Sequence, residues 1–370
     1  MAGIYLHVPF CKQACHYCNF HFSTSLKSKN GFISALLEEI ALQRSYLEGE
    51  AIETIYFGGG TPSLLSAEEL NTILDALYKT FPVDSGAELT LEANPDDLHP
   101  QKLADLKASG INRLSIGIQS FFEEDLRWMN RAHNAQQSID CIKNAHAAGF
   151  FNLTIDLIYG TPGLTDEKWQ ENVHRAVALD IPHLSCYALT VEPKTALDHF
   201  INTKQYVDVD PEQQARQFLL LMDWTEAAGY EHYEISNFAK PGMRSRHNTA
   251  YWLGKKYLGL GPSAHSFNGA ERQWNVANNA AYINSVRERI IPAEKEVLTR
   301  VQQLNEYIMT SLRTMEGLSV GYVENNFGED VMRTAQKFIA AGNMIWDGER
   351  LRLTKKGKLL ADGIAADLFF

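Results

Sequence analysis

The chain has 370 residues, enough for two domains or for one barrel with an appendage. Hydrophobic residues make up 45% and charged residues 21%, the balance of a soluble globular protein, and no apolar run approaches the ~20 residues of a membrane-spanning helix. A net charge of −11 argues against a broad nucleic-acid surface, and no nucleic-acid partner is expected.

A first strand is expected over Gly3–Val8, close enough to the start of the chain to leave no room for a leader. A cytoplasmic, reducing compartment follows, although peripheral membrane contact remains compatible with the sequence. The strand runs into Cys11, Cys15 and Cys18, spaced C-x3-C-x2-C. Soft thiolates in this arrangement suit an iron–sulfur cluster or zinc. With only three close cysteines, a cluster would keep one iron open to a small ligand. A zinc site that adds His16 or His21 as a fourth ligand also fits the spacing. A disulfide framework fits poorly, because the cysteines number five and no secretory signal precedes them. Cys141 and Cys186 lie in apolar patterns and read as core residues.

Helical spacing follows over 32–47, then a strand over 52–57. Ser66 with Glu69 forms a capping-box signature opening a helix to Tyr78. Strands over 88–92, 113–118, 152–158 and 183–189 then alternate with helices over 101–108, 138–148, 166–179 and 211–228. Six strand–helix units imply a parallel sheet with helical crossovers, and an eight-unit barrel takes ~250 residues. The expected fold is therefore α/β: an incomplete (β/α)6 barrel of the TIM type over 1–230. Ligands of such folds bind at the C-terminal strand ends. Those ends carry the cysteine loop, the turn Gly58-Gly59-Gly60-Thr61-Pro62, and Glu92, Gln119 and Asp156. A glycine turn lets backbone N–H and C=O groups approach a ligand. Arg131 could take a carboxylate bidentately.

Residues 231–279 read as an irregular connection carrying His247-Asn248-Thr249-Ala250-Tyr251-Trp252. A long loop of this kind is usually functional. Residues 280–370 return to helices, over 281–289, 297–312 and 331–341. A hairpin over 344–353, turned at Asp347-Gly348, and a last helix over 359–368 complete a small winged-helix-like domain.

The cysteine loop, with Tyr17 between its last two cysteines, resembles the signature of the radical S-adenosylmethionine (SAM) superfamily. Gly58–Pro62 resembles that superfamily's methionine-binding turn. Tyr5–Cys11, Glu92–Pro95, Ser115–Phe121 and Asp156–Gly160 are similar to segments of the oxygen-independent coproporphyrinogen III dehydrogenase group, the HemN/HemW family. The resemblance runs from Tyr5 nearly to the C-terminus. It implies that Cys11, Cys15 and Cys18 each hold one iron of a [4Fe-4S] cluster and that the fourth iron takes the amino and carboxylate groups of SAM. It further implies that Gly59, Gly60 and Thr61 position the methionine moiety, and that Tyr5, Tyr17, Glu92, Gln119, Arg131 and Asp156 contact SAM.

Three features resemble the HemW type more than HemN. The expected first strand starts at Gly3, where HemN carries an N-terminal arm. Phe20 stands where HemN has a further cysteine. Residues 247–252 fit the pattern HNxxYW. The implied function is a haem chaperone that binds haem and delivers it to haem-requiring acceptor proteins, as a monomer or homodimer. The alternative is an enzyme that oxidatively decarboxylates coproporphyrinogen III. Histidine is a common axial haem ligand and aromatic faces suit a porphyrin, so His247 is the first haem-ligand candidate, with His265 behind it. Arg244, Arg246, Lys255 and Lys256 are candidate partners for tetrapyrrole carboxylates near the rim.

Overall fold

The protein's computed structural model describes residues 2–370. Six strands, β1 (Ala2–Val8), β2 (Ile52–Gly59), β3 (Val83–Ala93), β4 (Arg113–Gln119), β5 (Leu153–Tyr159) and β6 (His183–Ala188), lie side by side in chain order. Each pairs in parallel with the next. Helices cross between them; the one over Ala67–Thr80 opens with the expected capping box of Ser66 and Glu69. Residues one apart on a strand face opposite sides. On one side stand Ile4, Leu6, Ile55, Phe57, Leu91, Leu114, Ile116, Ile155 and Leu157, all buried in one continuous core. The other side is polar: Tyr5 and His7, Thr54 and Tyr56, Glu88 and Glu92, Arg113 and Ser115, Thr154 and Asp156, His183 and Ser185. That alternation builds a polar lumen in place of a filled apolar one.

The stretch read as irregular is ordered. It contains β7 (Glu231–Glu234), β8 (Asn237–Ala239), the helix Arg246–Trp252, β9 (Tyr257–Leu260), β10 (His265–Phe267) and β11 (Glu271–Asn275); β12 (Ala293–Val297) follows another helix. β8 and β7 extend the sheet antiparallel beyond β6. β9 returns to pair in parallel with β1, and β10, β11 and β12 continue antiparallel from it. The result is one twelve-stranded sheet, β12-β11-β10-β9-β1-β2-β3-β4-β5-β6-β8-β7. Strands of three to five residues are too short to display a period of two, so the sequence hid them. A buried carboxylate pins this extension to the core. Glu39, on the first crossover helix, accepts from Gly261 N (2.7 Å), Asn275 Nδ2 (2.6 Å) and Tyr282 Oη (2.6 Å).

The last part of the chain has its own core around Leu304, Ile308, Leu312, Val323, Leu351 and Ile364. Its three-stranded sheet joins β13 (Leu318–Ser319) to the hairpin of β14 (Met344–Trp346) and β15 (Arg350–Leu353), which turns at Asp347-Gly348 as expected. The helix Arg300–Leu312 spans the gap left between the two ends of the large sheet. Its Glu306 pairs with Arg272 on β11 at 2.7 Å. Arg313, just past its end, pairs with Glu234 on β7 at 3.0 Å, and Ile235 N donates to Arg313 O. No helix among the described residues is long and apolar enough to cross a membrane.

Candidate cofactor site at the barrel rim

The cysteine loop leaves the end of β1 and is held on both sides. Cys11 N donates to Ser23 O (3.1 Å), His16 N to Met129 O (3.2 Å) and Leu197 N to His16 O (2.8 Å). Gln13 Nε2 donates to Asn130 Oδ1 at 2.7 Å, and Asn130 Nδ2 donates to Ala14 O at 2.8 Å. The three cysteines are free and half-buried, whereas Cys141 and Cys186 are buried as expected. Burial pushes the Cys18 thiol up to about 11. Burial also raises the Cys11 thiol, while Thr61 beside it works the other way. A cationic metal centre would reverse this and favour the thiolates.

The zinc alternative needs His16 or His21 as a fourth ligand, and each already spends one ring nitrogen within the chain. His16 Nδ1 bonds to Trp128 O at 2.9 Å, and its ring stands edge-on to Phe200. His21 Nε2 bonds to Asn279 Oδ1 at 2.6 Å. Among the described residues no three His, Cys, Asp or Glu side chains gather as around a single ion. A cluster that gives each thiolate its own iron fits the donor set of three thiols better.

The glycine turn abuts this loop. Gly60 N donates to Val8 O (2.9 Å) and Thr61 N to Phe10 O (2.7 Å). Gly59 has φ +99° and donates to Glu92 Oε2 at 3.1 Å. The turn's N–H groups are thus engaged within the chain, contrary to the expectation that they meet a ligand. What the turn can offer is carbonyl oxygen, which suits an ammonium. A Cβ at Gly60 would lie 2.6 Å from Phe10 O and 2.7 Å from Val8 O, so only glycine allows this approach.

Beneath the turn, Tyr56 Oη donates to Glu92 Oε1 at 2.8 Å, and the Tyr5 and Tyr56 rings stack with centroids 6.0 Å apart. Asp156 and Tyr5 sit mid-strand, a layer deeper than the strand ends where Asp156 was expected. Burial pushes the Glu92 and Asp156 carboxyls up to about 7 each. Such groups gain strongly from a cation or hydroxyl donor placed between them. Gln119 ends β4 with φ +64°, a conformation side chains other than glycine rarely adopt, and is buried.

Arg131 does not present a free fork. Its Nη1 donates to Cys15 Sγ (3.2 Å) and lies 3.4 Å from Tyr17 Oη; its Nη2 donates to Asn94 Oδ1 (2.8 Å) and Gly117 O (2.9 Å). Burial opposes its charge, but Tyr17 and Cys15 hold its pKa above the ordinary value. Only Nε is buried without a partner. Arg131 therefore ties the cysteine loop to the strand ends. Tyr56 and Asn94 were not anticipated; their positions in the strand alternation and after Glu92 were the available signal.

His247 lies elsewhere. The helix Arg246–Trp252 plugs the opposite end of the lumen, beside Gly3 and Thr54, where strands begin. The ring is 2% exposed; Nδ1 meets Thr54 Oγ1 at 2.7 Å, Nε2 meets Tyr251 Oη at 2.8 Å, and Tyr56 stacks on it at 5.0 Å. Both nitrogens are engaged, so this geometry does not support the haem-ligand reading of His247. The four basic candidates are also at this floor and not at the rim. Arg244 pairs with Glu231 and Glu316, Lys255 with Glu53, and Lys256 with Glu48 and Glu50, while Arg246 Nη1 donates to Gly86 O.

Known proteins resemble this chain in sequence and in fold. The radical SAM superfamily profile matches residues 5–176, and the HemN C-terminal domain profile matches residues 298–360. The haem chaperone HemW of Mycobacterium tuberculosis is 35% identical, covering 99% of this chain and 94% of that protein. The haem chaperone HemW of Bacillus subtilis is 34% identical, with 98% of both chains covered. Coproporphyrinogen III oxidase (HemN) from Escherichia coli, a radical SAM enzyme, superposes with a TM-score of 0.86 over 100% of this chain and 90% of its own, at 24% identity, a likeness of fold. Similarity to the chaperones along nearly the whole chain, joined to a three-cysteine loop against a glycine turn, places this chain in the radical SAM superfamily and, within it, in the HemW family of haem chaperones.

Proposed function

We propose that the protein binds haem and passes it to haem-requiring acceptor proteins in the cytoplasm, with a [4Fe-4S] cluster and SAM held at the barrel rim. The similarity to haem chaperones over 99% of the chain carries the reading. Cys11, Cys15 and Cys18 would each hold an iron, leaving a fourth for the amino and carboxylate groups of SAM. The carbonyls of the Gly59–Thr61 turn would accept from that amino group. Glu92 and Asp156 would face the cationic and hydroxyl parts of SAM, with Tyr5, Tyr17 and Gln119 lining the pocket and Arg131 steadying the Cys15 arm. When bound, the cluster supplies one-electron chemistry to SAM.

Anaerobic reconstitution with iron and sulfide, followed by haem titration, tests the proposal. A saturable Soret band, and transfer of that haem to an apo-acceptor, support it. Turnover of coproporphyrinogen III with release of 5′-deoxyadenosine would show an enzyme instead.

A further inference from the structure

A cavity of about 1010 Å³ opens in the flank of the barrel, at the upper end of small-molecule site volumes. It runs from Tyr5 and His7 in the lumen outwards, between β9–β11 and the helix Arg300–Leu312. Its floor is one sheet face. Phe267 pairs across with Tyr257 and with Arg272, and His265, two residues before Phe267, lies on the same face. Its roof is one helix face, with Gln303, Glu306, Tyr307 and Thr310 at helical spacing. Aromatic rings therefore line both walls, Tyr257 and Phe267 on the sheet and Tyr307 on the helix.

Three histidines line it, and their states differ. Both nitrogens of His7 are engaged, by Tyr5 Oη and His21 O, and His21 uses Nε2 on Asn279. His265 is exposed, and neither ring nitrogen has a hydrogen-bond partner among the described residues; its ring only stacks on Trp274, centroids 6.4 Å apart. The cavity is also lined by Arg272, paired at 2.7 Å with Glu306, and by Arg350, whose nearest carboxylate is Glu349 at 3.5 Å.

We propose that this flank cleft is the seat of the haem cargo, with His265 as axial ligand and Arg272 and Arg350 facing its propionates. The inference rests on the haem-binding reading above and adds a site to it. A porphyrin is a flat apolar plate with two carboxylates on one edge and an iron that seeks an axial nitrogen. The cleft supplies aromatic faces, basic groups and an unengaged imidazole in one space.

Haem titration of the cluster-loaded full chain, read by absorbance and magnetic circular dichroism of the ferric complex, tests it. His265→Ala should lose the imidazole-ligated signature and bind haem about tenfold or more weakly, and added imidazole should restore the signature. Iron, sulfide content and melting temperature should match the parent. Arg272→Gln should weaken haem binding but leave haem dimethyl ester binding unchanged. If His265→Asn and His265→Ala both keep the parent spectrum and affinity, the seat is misassigned although haem binding stands. A parent chain that binds no haem removes the functional reading itself. Loss of the axial signature in His247→Ala, with His265→Ala unaffected, also overturns the assignment.

Discussion

The rim and the floor of the lumen are both polar, yet the side chains are used differently. At the floor most groups bond to one another, although Arg113 Nε and Trp252 Nε1 are buried without hydrogen-bond partners. His183 bonds to Thr154 and to Tyr233 Oη, His247 to Thr54 and Tyr251, and Arg113 to Thr154, with Glu88 3.9 Å away. Burial drives His247 down to about 3, a neutral ring in a closed network. At the rim, two buried carboxyls are raised to about 7 and three cysteines outside any disulfide stand together. The floor engages both nitrogens of each of its histidines, whereas the rim holds buried carboxyls that gain from a cation or hydroxyl donor.

Substitutions can break this contrast. The largest effect is expected from Cys15→Ala, which should abolish cluster assembly. Iron and sulfide analysis after reconstitution checks it, while the melting temperature of the apo-chain should barely change. His247→Ala should do the reverse. It removes two buried hydrogen bonds and an aromatic stack, at a cost of about 3 kcal/mol by urea unfolding, with the haem spectrum of the loaded chain unchanged. Gly60→Ala should cost about 1–3 kcal/mol, because the added Cβ meets backbone oxygens that cannot swing aside, and should reduce SAM binding measured by calorimetry.

The smallest effect concerns pH. Glu92 titrates near 7 in the fold, above its ordinary 4.5, so the folded state holds a proton that the unfolded state releases. Its contribution to apo-chain stability is thus full below about 4.5 and declines as pH rises through about 7. Glu92→Gln should flatten that decline in a series of melts from pH 4.5 to 8, and weaken SAM binding.

The barrel half was legible because its strands are long enough to show their period and its cysteines and glycines are spaced as a unit. The cysteine loop, the glycine turn, Glu92 and Gln119 all come to one mouth. Residues 231–275 were not legible as sheet. β8 and β10 span three residues each, and β9 pairs with β1 across some 250 positions of chain. The surroundings of His247 were hidden for a physical reason. A histidine beside Tyr and Trp reads as a porphyrin contact, but only packing reveals that Thr54, from a distant strand, and Tyr251 take up its nitrogens. His265 carried no motif at all, and its unengaged ring is visible only in the fold.

The bridging helix Arg300–Leu312 gives the molecule two separate doors. Because the sheet never closes on itself, the lumen opens both at the rim and through the flank, between β9–β11 and the bridging helix. The Arg272–Glu306 and Glu234–Arg313 pairs hold that helix to the two ends of the sheet, so the width of the side opening depends on them and not on the cysteine loop.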